Sequence, residues 1–390
     1  MRVAHVITRL VVGGAQENTL ATVLALRATP GVAVELLAGP TTGPEGSLAP
    51  QVAAVPGLLT ILPALVRPVH PWLDLVALRQ LTRHFRQTRP DIVHTHSGKA
   101  GVLGRLAARC AGVPVIIHTI HGPSFGPFQG VFANLLFGGM ERVAGRVTTH
   151  FISVADAMTR QYLAAHIGRA EQFTRIFSGF DLQPFLNAKN DPAVRQELGL
   201  APEDIVVGMI ARLFKLKGHD DLFAIAADLV KQCPRMKFLF VGDGIWRERF
   251  QRKARKLKLE RHVVFTGLVP PGDVPKFVGI MDLLVHLSRR EGLPRALPQA
   301  LAAGRPVVAY NCDGAAEVCF DEQTGFLIQP GDLPTLRDQL VRLASAPGLR
   351  AQLGANGRAF VEANFDVGNM TREIFALYER LLASRPAARP

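Results

Sequence analysis

Short, β-rich apolar runs alternate with stretches of helical periodicity along almost the whole chain. Strands are predicted at 3–7, 32–37, 92–95, 115–119, 150–153 and 173–176, with helices at 15–26, 72–87, 99–110 and 155–165 among them. The same rhythm resumes with strands at 205–210, 237–241, 263–265, 283–286, 307–309 and 325–328. Alternation of this kind makes parallel sheets covered by helices on both faces. It pauses once, over 178–191, where Gly, Pro and Asn cluster as they do in linkers. At 390 residues the chain exceeds one ordinary core. The expected fold is therefore α/β, with Rossmann-like domains at 1–180 and 181–368. A last helical pattern at about 369–382 follows the final strand by a long way and could pack back on the first domain, and the Pro/Ala/Arg tail 384–390 reads as a frayed end.

Composition removes several classes. Hydrophobic residues make up 48% of the chain and charged residues 20%, which excludes a disordered polymer. The four cysteines form no Cys-x-x-Cys pair and no zinc spacing, so they are read as reduced core thiols of a cytosolic protein. The N-terminus runs straight into a strand and is read as carrying no secretory signal. Stretches 46–66 and 110–140 lack charged residues, but prolines interrupt both, and neither suits a spanning helix of about 20 apolar residues. The net charge is +13, and the excess is denser over residues 1–180, with 16 Lys+Arg against 8 Asp+Glu. That balance calls for an anionic partner without choosing among nucleic acid, anionic lipid and phosphates.

Four groups of residues sit where parallel sheets bind ligands. Gly13 and Gly14 lie between the first strand and the helix after it, where a tight turn meets a helix N-terminus suited to an anion; a turn with no ligand is the alternative. Arg212 and Lys217 follow the strand at 205–210, and two cations there could clamp a diphosphate rather than form a solvated basic loop. Glu291 follows the strand at 283–286. With Pro294 in a first helical turn, the Gly292 and Leu293 amides would face outward toward phosphate or sugar oxygens, although a carboxylate there could simply cap a helix. His121, beside Gly122, ends the strand at 115–119, but His94 and His96 also end a strand and position alone does not choose among them.

Taken together, these residues resemble glycosyltransferase family 4, the retaining enzymes with the two-Rossmann GT-B architecture and parallel sheets facing across a cleft. The likeness runs from Arg2 to about Leu382. It is carried by Gly13 to Gln16, the block from His94 to Arg109, His118 to Gly122, Arg212 with Lys217 and Gly218, Gly242 to Gly244, and Glu291 to Val308. The middle block is similar to bacterial enzymes that build surface polysaccharide and lipid-linked glycans. The resemblance implies that Gly13 and Gly14 touch the distal phosphate, and that Arg212 and Lys217 bind the diphosphate. It assigns Glu291, Gly292 and Leu293 to the donor sugar, His121 to the region of the anomeric carbon, and Gly267, Leu268 and Val269 to the base. The family's second carboxylate, which holds the ribose, is Gln299 here. Its amide keeps hydrogen bonding but loses charge, so donor affinity should weaken while the chemistry survives.

The implied reaction passes a hexose-type sugar from a UDP- or GDP-sugar to a glycan or polyprenyl-linked acceptor. Arg212, Lys217 and amides stabilise the leaving diphosphate, with no cofactor and no metal. The chain has no Asp-x-Asp element of the kind metal-dependent glycosyltransferases use. A nicotinamide oxidoreductase would need a G-x-G-x-x-G fingerprint that is not clear here. An inactive nucleotide-sugar binder has only Gln299 to support it, and nucleic-acid binding rests on charge alone. The basic, Trp72-bearing helix at 72–87 and an aromatic loop around Phe128, Phe132 and Phe137 suit docking on an anionic surface at the inner face of the cytoplasmic membrane, the alternative being two helices packed in the core.

Overall fold

The computed structural model of the chain describes residues 1–41, 46–126 and 128–384; positions 385–390, most of the tail read as frayed, lie outside the described residues. The chain divides into one unit formed by Met1–Phe180 with the C-terminal helix Val367–Ala383, and a second formed by Asp181–Asp366.

Among the described residues, the first unit has seven parallel strands: β1 (Arg2–Ile7), β2 (Ala33–Ala38), β3 (Leu59–Ile61), β4 (Ile92–His96), β5 (Val115–Ile120), β6 (His150–Ser153) and β7 (Phe173–Arg175). They lie in the order β3-β2-β1-β4-β5-β6-β7. The second unit has β8 (Ile205–Ile210), β9 (Met236–Val241), β10 (Val263–Gly267), β11 (Leu283–His286), β12 (Val307–Tyr310) and β13 (Gly325–Ile328), also parallel, in the order β10-β9-β8-β11-β12-β13. Each sheet reverses its strand order at one point, between β1 and β4 and between β8 and β11. Loops leaving those neighbouring strands turn to opposite faces, which opens a crevice at their carboxyl ends.

Side-chain alternation builds a core on each face. Val3 and Ile7 of β1 join Leu20, Val23 and Leu26 of the helix Gly14–Arg27, and Met370, Ile374 and Leu377 of the C-terminal helix. Ala4 and Val6 point the other way, onto Leu81 and Phe85 of the helix Pro71–Thr88 and Leu103 and Ala107 of the helix Gly98–Ala111. Gly112, at φ +75°, ends the latter helix in the left-handed conformation that glycine adopts without strain.

Two elements depart from the sequence reading. β3 is a three-residue edge strand inside a proline-broken stretch, too short to show alternation. The segment read as an aromatic loop is the helix Val131–Gly145. Phe132, Leu135 and Leu136 share one side at i, i+3, i+4 spacing, a pattern masked by Gly138 and Gly139. The alternative of two core helices also fails in part: Val131 is 88% exposed, Phe132 83%, Leu135 68% and Trp72 65%, while Phe85 is buried. The thiols differ too, since Cys319 is buried but Cys110 is exposed. Among the described residues, no helix is long and apolar enough to cross a membrane.

Candidate active site

The switch point of the second sheet is assembled by glycines that admit backbone where a side chain would collide. Gly218 has φ +80°, and a Cβ there would lie 2.2 Å from the Leu287 carbonyl oxygen. The loop after β8 therefore lies directly on the loop after β11, and the Arg289 amide donates to the Leu216 carbonyl at 2.9 Å. A Cβ on Gly242 would meet the Ala211 carbonyl oxygen at 2.4 Å, and one on Gly244 the Leu213 oxygen at 2.5 Å. Three strand-end loops thus interlock through backbone around the exposed Arg212.

This packing brings Lys217 and Glu291 together: the ammonium donates to Glu291 Oε1, with both side chains about one-fifth exposed. His286 Nε2 lies 3.5 Å from the same oxygen. Burial alone would push the Glu291 carboxyl up, but Lys217 and His286 outweigh it and hold the group well below the usual carboxylate range. The Glu291 amide donates to Asp313 Oδ2 at 2.7 Å, from an aspartate held at φ +50°. Glu291 Oε2 has no hydrogen-bond partner among the described residues, and a carboxylate oxygen of that kind can accept from a hydroxyl.

The neighbouring segments need correction. The helix after Glu291 begins at Ala296, with Arg295 as its cap, so Pro294 stands before the first turn. Proline disfavours helical geometry in the residue preceding it, which keeps Leu293 out of the helix. Gly292 and Leu293 are buried and precede the helix rather than standing at its start, and the Gly292 carbonyl accepts from the Gly314 amide at 3.0 Å. Gln299 lies half-buried in that helix, without a side-chain partner among the described residues. Gly267 ends β10 at φ +77°, followed by exposed Leu268 and half-buried Val269; Arg247, paired with Asp243 at 2.8 Å, lies where a Gly267 side chain would be.

In the first unit, Gly13 caps the helix Gly14–Arg27 and its carbonyl accepts from the Glu17 amide at 2.9 Å, leaving Gly14 exposed at the helix N-terminus beyond β1. His121 is half-buried just past β5, and its Nε2 meets His96 Nδ1 at 3.0 Å. His96 Nε2 in turn meets His5 Nδ1 at 2.9 Å, and His94 is bonded to Tyr378 and Thr119 at 2.5 and 2.6 Å. One ring nitrogen from each of His5, His94 and His96 lies within 4.8 Å of the others, a spacing a metal ion could bridge, yet all six nitrogens are already hydrogen-bonded.

Sequence reasoning did not single out Asp313, His286, His5 or Tyr378. Asp313 acts on Glu291 from 22 residues further along the chain, His286 from the end of β11 just before it, and Tyr378 reaches the histidines from a helix 284 residues beyond His94. Only His5, inside an otherwise apolar first strand, carried a local signal.

Comparison with known proteins bears on the family and the fold. The family model described as Glycosyltransferase Family 4 matches residues 12–184, and that of the Glycosyl transferases group 1 matches 190–360. The chain is 28% identical over 329 residues to the UDP-Gal:alpha-D-GlcNAc-diphosphoundecaprenol alpha-1,3-galactosyltransferase of Escherichia coli, covering 83% of this chain and 84% of that one. It is 30% identical over 292 residues to the putative glycosyltransferase EpsD of Bacillus subtilis, covering 73% and 75%. Anabaena HepE in complex with UDP and glucose superposes with a TM-score of 0.81 at 24% identity, over 97% of this chain and 100% of that one, and thus shares its fold.

Proposed function

Because the chain belongs to glycosyltransferase family 4, whose members here are GT-B glycosyltransferases of bacterial glycan synthesis, we propose that it transfers a hexose from a nucleoside diphosphate sugar to a lipid-linked glycan acceptor, with retention at the anomeric carbon. The observation that carries this reading is the Lys217–Glu291 pair at the β8/β11 switch point. A cation for the diphosphate stands beside a carboxylate for the sugar hydroxyls, held there by Gly218.

Charge builds on the diphosphate as the glycosidic bond lengthens. Arg212 and Lys217 stabilise that charge in place of a metal ion. Glu291 Oε2 accepts from a sugar hydroxyl, while Lys217 and His286 keep the carboxyl ionised. Gly267, Leu268 and Val269 receive the base, and Gln299 the ribose. Gly292 and Leu293 shape the sugar pocket as buried backbone. Gly13 and Gly14 serve the distal phosphate from the helix N-terminus, and His121 serves the sugar. The donor is a UDP- or GDP-hexose, since one relative is named for UDP-Gal and another is GDP-mannose-dependent. A diphosphoundecaprenol in a relative's name supports a lipid-linked acceptor, and the exposed apolar helix Val131–Gly145 supports peripheral docking on the cytoplasmic leaflet.

A thermal-shift panel of UDP- and GDP-hexoses, followed by nucleoside diphosphate release with a polyprenyl-diphosphate-linked sugar, tests the reading. The true donor should raise the melting temperature most, and the product's anomeric coupling should match the donor's. A donor that binds without any turnover favours a binding protein. Inversion in the product defeats the retaining assignment, and no shift with any nucleotide sugar defeats the reading as a whole.

A further inference from the structure

Three buried histidines form a single hydrogen-bonded run that surfaces at His121. In order, His121 Nε2 meets His96 Nδ1 at 3.0 Å, and His96 Nε2 meets His5 Nδ1 at 2.9 Å. His5 Nε2 lies 3.5 Å from Tyr378 Oη, which meets His94 Nδ1 at 2.5 Å, and His94 Nε2 meets Thr119 Oγ1 at 2.6 Å. The links come from β1, β4, β5 and the C-terminal helix Val367–Ala383. His5, His94, His96 and Tyr378 are all essentially sealed from solvent, whereas His121 is half-buried.

Burial keeps the inner rings neutral, pushing His5 down to about 3 and His94 and His96 well below the ordinary histidine value. A neutral imidazole has one N–H and one lone pair. In a run of such rings each proton dictates the next. If all donors point away from His121, its proton sits on Nε2 and its Nδ1 is an acceptor. If all point toward it, Nε2 accepts and Nδ1 carries the proton. A reversal among His121, His96 and His5 would set two N–H groups or two lone pairs face to face in a dry interior, each mismatch costing about 1–3 kcal/mol, whereas the Tyr378 hydroxyl can donate or accept on either side.

We propose that His96 and His5, closed off by Tyr378 and His94, are positioning residues that lock His121 in one tautomer, giving its Nδ1 a fixed hydrogen-bonding sense toward the donor sugar. The clause about the sugar rests on the role given to His121 above; the lock itself does not. The C-terminal helix is part of this device, because Tyr378 is its only residue in the run and joins the two histidine strands there.

The test is long-range proton–nitrogen NMR of the full chain labelled at the histidine ring nitrogens, with His121 assigned by its loss in His121→Gln. Wild type should show one tautomer at His121. His96→Leu and His5→Phe should show both, while His96→Gln, which retains a donor and an acceptor, should restore one. Turnover should fall severalfold in the first two, with the donor KM nearly unchanged, because only the fraction of His121 in the competent tautomer then serves the transfer step, well short of the roughly 10²–10⁴ for losing a proton-transfer group outright. Tyr378→Phe, which removes one oxygen from a packed ring, keeps the question open to measurement should the histidine variants fail to fold; it too should release the second tautomer. A single His121 tautomer in every variant that folds would overturn the proposal, as would one equivalent of zinc in the purified protein that is lost in His5→Phe. A tautomer change at unaltered turnover would uphold the lock and remove His121 from the transfer step.

Discussion

Lys217 and Glu291 are 74 residues apart in the chain, yet the lysine ammonium donates to the glutamate carboxylate. They meet because β8 and β11 are neighbours in the sheet and because Gly218 lets one strand-end loop lie on the backbone of the other. The pair joins fold to chemistry: the same contact that closes the switch point helps hold the Glu291 carboxyl ionised before a donor arrives.

Removing either partner leaves a part-buried charge alone. Lys217→Met and Glu291→Gln should each cost about 1.5–3 kcal/mol of stability, the range for hydrogen bonds to charged groups. The double variant should cost clearly less than the sum, since neither charge is then stranded. Turnover should stay down by about 10²–10³ in all three, because each lacks the ammonium that stabilises the leaving diphosphate, the carboxylate that holds the sugar hydroxyls, or both. Urea denaturation with initial rates on the same samples decides the matter. Strictly additive stability losses would mean that the two charges do not depend on each other.

Much of this architecture is legible in the sequence, because parallel sheets buried on both faces read as plain apolar runs; β6, β8, β11 and β13 have the bounds their sequence suggests. What escapes is where local signals compete. Gly138 and Gly139 hide a helix, and Pro294 suggests a helix start one turn too early. At the site, the motif residues are visible one at a time, but the partners that tune them are not. Asp313 and Tyr378 act through contacts that only the folded chain creates.

Acid should weaken the first unit through its histidines. The folded values of His5, His94 and His96 lie below that of an unfolded histidine, so the unfolded chain binds more protons in between. Stability is then fully present above about pH 6.5 and is lost as pH falls toward the folded values. Each such group contributes a slope of about 1.4 kcal/mol per pH unit in that window. Glu291 has the same sign, but its window opens only below about pH 4.3. His5 faces His94 and His96 from β4 and Tyr378 from the C-terminal helix, with no carboxylate among these partners to offset the effect. His5→Phe should therefore flatten the decline in urea-unfolding free energy between about pH 6.5 and about pH 5 by one proton's slope. A decline parallel to wild type would show that His5 does not resist protonation in the native state.

The helix Val131–Gly145 should carry the protein onto anionic membranes. Val131, Phe132, Leu135 and Leu136 are exposed along its N-terminal half, and exposed Arg142 and Arg146 follow at its C-terminal end. Arg105, wholly buried in the helix Gly98–Ala111, pairs with buried Glu141 at 2.6 Å, so the opposite side of the helix is pinned and the apolar side cannot simply turn inward. The helix Pro71–Thr88 packs on the same Gly98–Ala111 helix and adds exposed Trp72 with Arg79 and Arg83. Burying Phe132 or Leu135 in a leaflet gains about 1.5–3 kcal/mol each, and each arginine near an anionic surface about 1 kcal/mol. Phe132→Ser with Leu135→Ser should abolish co-sedimentation with phosphatidylglycerol vesicles while leaving the melting temperature within a degree or so, because side chains this exposed hold little of the core together. Wild-type binding should fade as salt rises, with an apolar remainder that the double serine variant lacks. Wild-type protein that stays in the supernatant with anionic vesicles at low salt would remove the membrane from the reading, and a variant that still sediments would move the docking surface away from this helix.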